Sequence, residues 1–489
     1  MKKLILKVMA VAALAGSAVS CGSEFLDTEY YNGIDVDSGL TNVTNIGYAL
    51  NGTYYQFYRY VFAGNYATMI GDIASDISYW NGRTGHFNSI YQFTYQDTDN
   101  YLFYIWDYGY KVVDNAARII KAAAELEDLT TTDKLYLDVY LAEAYALRAY
   151  ATFVMTNVYG HQIKVNGQDF SSQPGVVVVD EPVQVFTDVT RSTVGECYAA
   201  IQSDINNAIA HFNAAGTDQG ELTYFSLAAV YGLQARVNLY MENFSAAATA
   251  AQKALDEAGI DELAYGDDYA DLYGNGFYNW ESLFALAINP TYNFSANSCG
   301  TLWTTYNYSP SPKLQAMFGP NDCRTSIWGE GAEYTETAPT FNGGKFIYGG
   351  GNTAYATNYL INAPEMFLII AEANLRDSSG SIDTARQALL TVAQRNPDIT
   401  AADLGSTKDE MFAFLKDERA RELFQEGHRL YDLRRWDEMA DVYAYGAPDI
   451  QFTYTNYKIS DLVFPITADE INAGFGVAQT EGWAGLKPR

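Results

Sequence analysis

Residues 224–258 read YFSLAAVYGLQARVNLYMENFSAAATAAQKALDEA, and this stretch decides the fold. Apolar and small residues recur at three- and four-residue steps on both sides of a break at Glu242, Asn243 and Phe244, which is the period of an α-helix. Ser245 is the expected N-cap of the second helix and Gly259 its stop. A hydroxyl satisfies free N–H groups at a helix start, and glycine enters the left-handed region without a Cβ clash. Ala247, Ala250, Ala251, Ala254 and Leu255 fall on one face of that helix, while Ala228, Ala229, Gly232 and Ala235 line the other. So short a linker makes the two helices antiparallel neighbours, and the small residues let their backbones approach closely.

Outward from this pair the pattern repeats. Residues 364–376 and 382–396 form a second pair of the same kind, a degenerate tetratricopeptide-like arrangement. Helices are also expected over 43–60, 101–126 and 408–425. Another, carrying Leu137, Leu141, Ala144, Leu147, Ala151, Val154 and Val158 on one face, stops near Gly160. Two stretches lack helical period. Residues 71–100 carry Asp72, Asp76, Tyr79, Trp80, Asn81, Arg83 and His86; residues 280–351 are rich in Gly, Pro, Asn, Ser and aromatics, with a short strand expected at 283–288. The expected fold class is therefore mainly α: tetratricopeptide-like helix pairs form a scaffold that bears a large, irregular, loop-rich face.

With 489 residues the chain can bury a large core. Lys and Arg total 30 against 59 Asp and Glu, a formal charge of -29, and no segment is densely basic, which excludes nucleic acid as a partner. Tyr is in excess, at 40 residues. Tyr serves helix packing with its hydroxyl at the surface, and it also offers a ligand a flat apolar face with a polar tip. At the start, Lys2, Lys3 and Lys7 precede or interrupt an apolar run over 4–19 that ends in small residues before Cys21, the pattern of an export signal. Ala18-Val19-Ser20-Cys21 resembles a bacterial lipobox, with Ala18 where Leu is usual; the alternative is a plain secretory signal with an incidental Cys21. The lipobox reading gives a leader at 1–20, a lipidated tether at 21–41 and a single domain at 42–489, held on a membrane that no segment crosses.

Motifs for catalysis are missing. HExxH, GxSxG and Walker-type loops do not occur, His86, His161 and His211 are scattered, and no metal site or cofactor is expected. Cys197, Cys299 and Cys323 contain no CxxC pair; buried free thiols are expected, with a Cys299–Cys323 bridge as the alternative. Asp267, Asp268 and Asp271 suit either a calcium loop or a solvated face. Arg419, Arg421, Arg429, Arg434 and Arg435 alternate with Glu418, Glu422, Glu426, Asp432 and Asp437, a spacing that predicts internal ion pairs, with His428 a satisfied interior group. Arg118 and Arg148 read as scaffold.

Three stretches together resemble the SusD/RagB-like outer-membrane lipoproteins of nutrient uptake: YLAEAYALRAYATFVMTNVYG at 140–160, ERARELFQEGHRLYDLRRW at 418–436 and VFPITADEINAGFGVAQTEGW at 463–483. PSPKLQAMFGPNDCR at 310–324 and APEMFLIIAEANLR at 363–376 extend the likeness, and Glu24, Asp27 and Glu29 after Cys21 are similar to the family's surface-export signal. The resemblance implies a cell-surface lipoprotein, not an enzyme. It would bind an extracellular oligosaccharide through loop aromatics and deliver it to a SusC-like TonB-dependent barrel in the outer membrane. Carried onto this chain, the early binding loop falls on Trp80, with Tyr79, Asn81, Arg83, Asp72 and Asp76 as neighbours. The mid-chain aromatic position falls among Tyr292, Trp303, Tyr306 and Tyr308, and for each of these aromatics, as for Tyr79 and Trp80, the alternative is a core anchor of its loop. Two rivals stand beside this reading: peptide capture in the RagB manner, and a surface adhesion component.

Overall fold

A computed structural model describes residues 39–184, 186–274, 279–306, 308–329, 341–347, 352–438, 440–444, 447–453 and 462–485. The leader, Cys21 and the acidic run Glu24, Asp27 and Glu29 lie outside the described residues.

Eleven helices among the described residues build the scaffold. They are α1 (Val43–Tyr58), α2 (Tyr66–Ile73), α3 (Asn100–Ala124), α4 (Thr131–Tyr159), α5 (Val194–Ala215), α6 (Leu227–Tyr240), α7 (Phe244–Ala258), α8 (Ala363–Arg376), α9 (Ile382–Ala393), α10 (Lys408–Glu422) and α11 (Arg429–Trp436). They pack in series: α3 on α4, α4 on α5, α6 on α7, α7 on α8, and α8 on α9 and α10. The pair that set the expectation is present. Ala247, Ala250, Ala251, Ala254 and Leu255 are the buried residues of α7, which ends at Gly259 in the left-handed region. The N-cap lies two residues earlier than expected: it is Asn243, not Ser245, and no side chain caps the helix. Gly232 on α6 has a specific reason to lack a side chain, because a Cβ there would meet the Ile361 Cγ2 at 2.6 Å. Helix α5 was not expected, although Thr193 and Glu196 form a capping box and Cys197, Ile201, Ile205, Ala208 and Phe212 give it a buried stripe.

The alternating charges at 418–436 are internal ion pairs, as their spacing predicts. Arg419 holds Asp432 at 2.7 Å, Arg435 reaches Glu372 at 2.6 Å, and Arg324 bridges Glu418 at 2.6 Å and Glu422 at 3.1 Å, all buried. His428 is interior but not satisfied. Its Nδ1 lies 3.9 Å from the Glu365 carboxylate, its Nε2 is buried with no hydrogen-bond partner among the described residues, and burial carries the imidazole down to about 3. Arg148 forms a buried pair with Asp204, and Arg118 pairs with Asp114 one turn back. Cys197 and Cys299 are buried free thiols; Cys323 is also free but part-exposed, so Cys299 and Cys323 are not bridged. Asp268 and Asp271 sit in the first turn of the short helix Asp268–Gly274, where negative charge suits the helix dipole.

Candidate functional site

The two loop-rich stretches meet. Strand β1 (Ser78–Trp80), β2 (Ser282–Leu286), β3 (Tyr308–Pro310) and β4 (Asn358–Asn362) form two antiparallel pairs, β1 with β3 and β2 with β4. In the first pair Tyr79 faces Ser309 and Trp80 faces Tyr308. Side chains reinforce the junction: Ser311 Oγ donates to the Asp76 carbonyl at 2.7 Å, Tyr308 hydroxyl to the His86 carbonyl at 2.8 Å, and Thr84 Oγ1 to the Tyr306 carbonyl at 3.1 Å. Asn65 Nδ2 ties the start of α2 to the Asn297 carbonyl at 2.8 Å.

This junction separates the candidate residues into two groups. Trp303 is 0% exposed, edge-on to Phe424 at 5.0 Å and to Tyr308 at 6.1 Å, with its indole N–H on the Met69 sulfur at 3.2 Å. Trp80 is 5% exposed, with Tyr91 edge-on at 6.0 Å. Tyr79 and Tyr308 are equally covered. Rings enclosed in this way have no free face for a sugar, which corrects the expectation for these four. The carboxylates are also committed inward. Asp76 holds Arg429 at 2.7 and 2.9 Å and Lys313 at 2.7 Å; burial works against its ionised form, but these cations bring it down to about 2. Asp72 is fully buried and pushed up to about 7 by that burial.

Asn81, Arg83, Tyr292 and Tyr306 remain at the surface, and Tyr292 is 68% exposed. The structure joins Tyr292 and Tyr306 to half-buried aromatics that sequence reasoning passed over. Tyr58 hydroxyl donates to the Tyr292 carbonyl at 2.9 Å, and its ring lies 4.6 Å from Phe294. Phe294 neighbours Tyr60 at 6.0 Å, Tyr60 neighbours Tyr66 at 5.5 Å, and Tyr66 neighbours Tyr101 at 4.7 Å. Phe87, itself buried, stacks beneath Tyr101 at 4.2 Å, and His86 beside it in the chain stacks on Tyr306 at 3.6 Å with the planes 14° apart. The series thus draws on the end of α1, the starts of α2 and α3, and both loop stretches. The run YYQFYRY at 54–60 was the available signal: so many rings at the end of one helix exceed what a single buried stripe needs.

The face is uncharged at its rings. Burial lowers the His86 imidazole below its ordinary value, raises the Tyr58 hydroxyl to about 12, with Tyr55 adding to the effect, and raises Tyr66 and Tyr101 too. Flat apolar faces with protonated hydroxyls at their edges suit a ligand that is itself apolar on one face and hydroxylated at its rim. Half-enclosed clefts lie elsewhere, on the scaffold; one of about 300 Å³ between α3 and residues 177–189 includes Trp106, Tyr110 and Val177.

Residues 24–239 match a family model described as starch-binding associating with outer membrane, and residues 344–483 match the SusD family model. No curated protein matches. Among solved structures the fold is similar to a SusD superfamily protein from Bacteroides thetaiotaomicron VPI-5482, at 21% identity and TM-score 0.78 over 90% of this chain and 99% of that one. It is similar to a SusD superfamily protein from Bacteroides vulgatus ATCC 8482, at 22% identity and TM-score 0.74 over 91% and 99%. A SusD-like carbohydrate binding protein from the same strain matches at 16% identity and TM-score 0.68 over 84% and 89%. The two family models, on a fold shared with SusD superfamily structures, place this chain in the SusD/RagB-like family.

Proposed function

We propose that this chain is a cell-surface lipoprotein that captures an oligosaccharide on the aromatic face and hands it to a SusC-like TonB-dependent barrel in the outer membrane. It binds without cleaving. Residues 1–20 are the leader, Cys21 carries the lipid, and 42–489 form one domain. The observation that carries the reading is the set of part-exposed rings brought together between Tyr292 and Tyr306, namely Tyr58, Phe294, Tyr60, Tyr66, Tyr101 and His86. A pyranose has an apolar C–H face, and stacking it on a tyrosine removes apolar area from water, at about 25 cal/mol per Å² buried. Several such contacts along one face suit a chain of sugars better than a single ring. The carbohydrate-binding relative from Bacteroides vulgatus supports the same ligand class.

Affinity electrophoresis of the lipid-free chain against soluble polysaccharides tests the reading. Retardation by at least one glycan is expected, weakened about tenfold by Tyr306→Ala or Tyr66→Ala, a loss of about 1.4 kcal/mol. Retention of a peptide library instead, with no glycan retarded, would favour the RagB-like alternative. For the second half of the proposal, a tagged chain in native-host membranes is expected to co-purify with an outer-membrane barrel; recovery without one would leave adhesion as the better account.

A further inference from the structure

In a chain with 59 acids and 30 bases, an arginine without a carboxylate partner needs a reason. Among the described residues, eleven arginines are in an ion pair with Asp or Glu, and neither Arg59 nor Arg83 is one of them. Arg191 and Arg434 give N–H groups to main-chain carbonyls. Arg59 and Arg83 do neither, and both stand on the aromatic face.

Arg59 follows α1 directly, between Tyr58 and Tyr60. Its guanidinium lies 5.9 Å from the Tyr60 ring and 5.5 Å from the Tyr55 ring, and Nη1 donates to the Tyr55 hydroxyl at 2.7 Å. Its Nε–H is buried and meets no acceptor among the described residues. Arg83 is exposed on the turn between Asn81 and His86, which Thr84 fastens to the Tyr306 carbonyl. The two cations therefore flank the part-exposed rings Tyr60, Tyr66, Tyr101 and His86, beneath which Phe87 is buried. The carboxylate of Asp99, near Tyr66, is committed elsewhere: it accepts from Ser89 Oγ at 2.5 Å and from the Tyr101 N–H at 2.9 Å, capping α3.

We propose that the ligand of this face is an anionic oligosaccharide, its acid groups being carboxylates or sulfates. The proposal rests on the oligosaccharide reading above and narrows it. A planar guanidinium makes paired hydrogen bonds to either group, stronger than bonds to a neutral hydroxyl, while the rings between the two arginines stack on the sugar faces. The global charge of -29 repels a polyanion, so retention of one requires local cations of this kind.

Two matched pairs of polymers test this with the full chain after Cys21: polygalacturonate against its methyl ester, and dextran sulfate against dextran. Each pair keeps the backbone and removes the charge. Retardation by a charged member and not by its neutral partner is expected, and which pair responds separates carboxylate from sulfate. Arg59→Gln and Arg83→Gln, with unchanged melting temperatures, are each expected to weaken it about tenfold. Salt raised to about 0.5 M is expected to weaken it further. Equal retention of charged and neutral members, indifferent to both substitutions, would overturn this inference and leave the oligosaccharide reading standing. Retention of neither pair while other, neutral glycans bind would do the same. Arginine-dependent binding of poly-glutamate without any glycan, or no binding at all, would overturn both.

Discussion

Trp303 and Tyr306 stand three residues apart and have opposite fates. Both lie in the loop-rich stretch, Trp303 at the end of the short helix Cys299–Trp303, and nothing in residue type separates them. Pairing of β1 with β3 does: it drives the Trp303 ring between Met69, Tyr308 and Phe424, and leaves Tyr306 outside under His86. Trp303→Ala is accordingly expected to cost about 3–5 kcal/mol of stability, measured by urea unfolding, with glycan affinity preserved wherever the variant is folded. A loss of affinity at parental stability would return Trp303 to the site. Asp76 makes the same point for charge. Its sequence neighbourhood suited a sugar hydroxyl, but the side chain is held by Arg429, 353 positions away in the chain.

Among the elements, the long amphipathic helices were legible to within a few residues, because their burial repeats with the helical period. Three features were not. Helix α5 has no counterpart among the expected helices despite its capping box, α11 lies beyond the end expected at 425, and α2 intrudes on a stretch that composition marks as irregular. Helix α2 owes its position to a close backbone approach. A Cβ on Gly71 would lie 2.0 Å from the Gly427 carbonyl oxygen, and one on Gly427, where φ is +79°, would lie 1.8 Å from the Thr68 carbonyl oxygen. Neither obstacle is a flexible side chain. Gly71→Ala is therefore expected to displace α2 from the turn before α11, costing about 1–3 kcal/mol by chemical denaturation and weakening glycan binding through Tyr66 at the start of α2. Parental values of both would show that the contact has slack.

At the scale of the whole molecule, buried acids of two kinds make stability depend on pH in opposite senses. Burial disfavours ionised Asp76, Glu372 and Glu418, yet Arg429, Arg435 and Arg324 beside them carry each down to about 2. An unfolded carboxyl titrates near 4, so their contribution is complete above roughly pH 4.5 and is lost as pH falls toward 2. Glu143 and Asp72 are pushed by burial to about 8 and about 7. Their contribution is complete below roughly pH 4 and drains away as pH rises to 7 or 8. Glu143→Gln keeps an acceptor for the Gln219 amide, which now bonds Glu143 Oε1 at 2.7 Å, and cannot ionise. It is expected to melt with the parent near pH 4 and a few degrees above it at pH 9, by calorimetry; a constant difference across that range would remove Glu143 from the pH response. By itself the sequence determined the helical scaffold and the family, because each is written in local periodicity or in a contiguous motif; that the charges at 418–436 pair was legible too, but the partners, as remote as Glu372 and Asp76, were not. Only the tertiary structure decided which aromatics form a surface. The rings from Tyr58 to Tyr306 come from segments far apart in the chain, and which face of each stays open depends on strand pairing and close glycine contacts that no local pattern encodes.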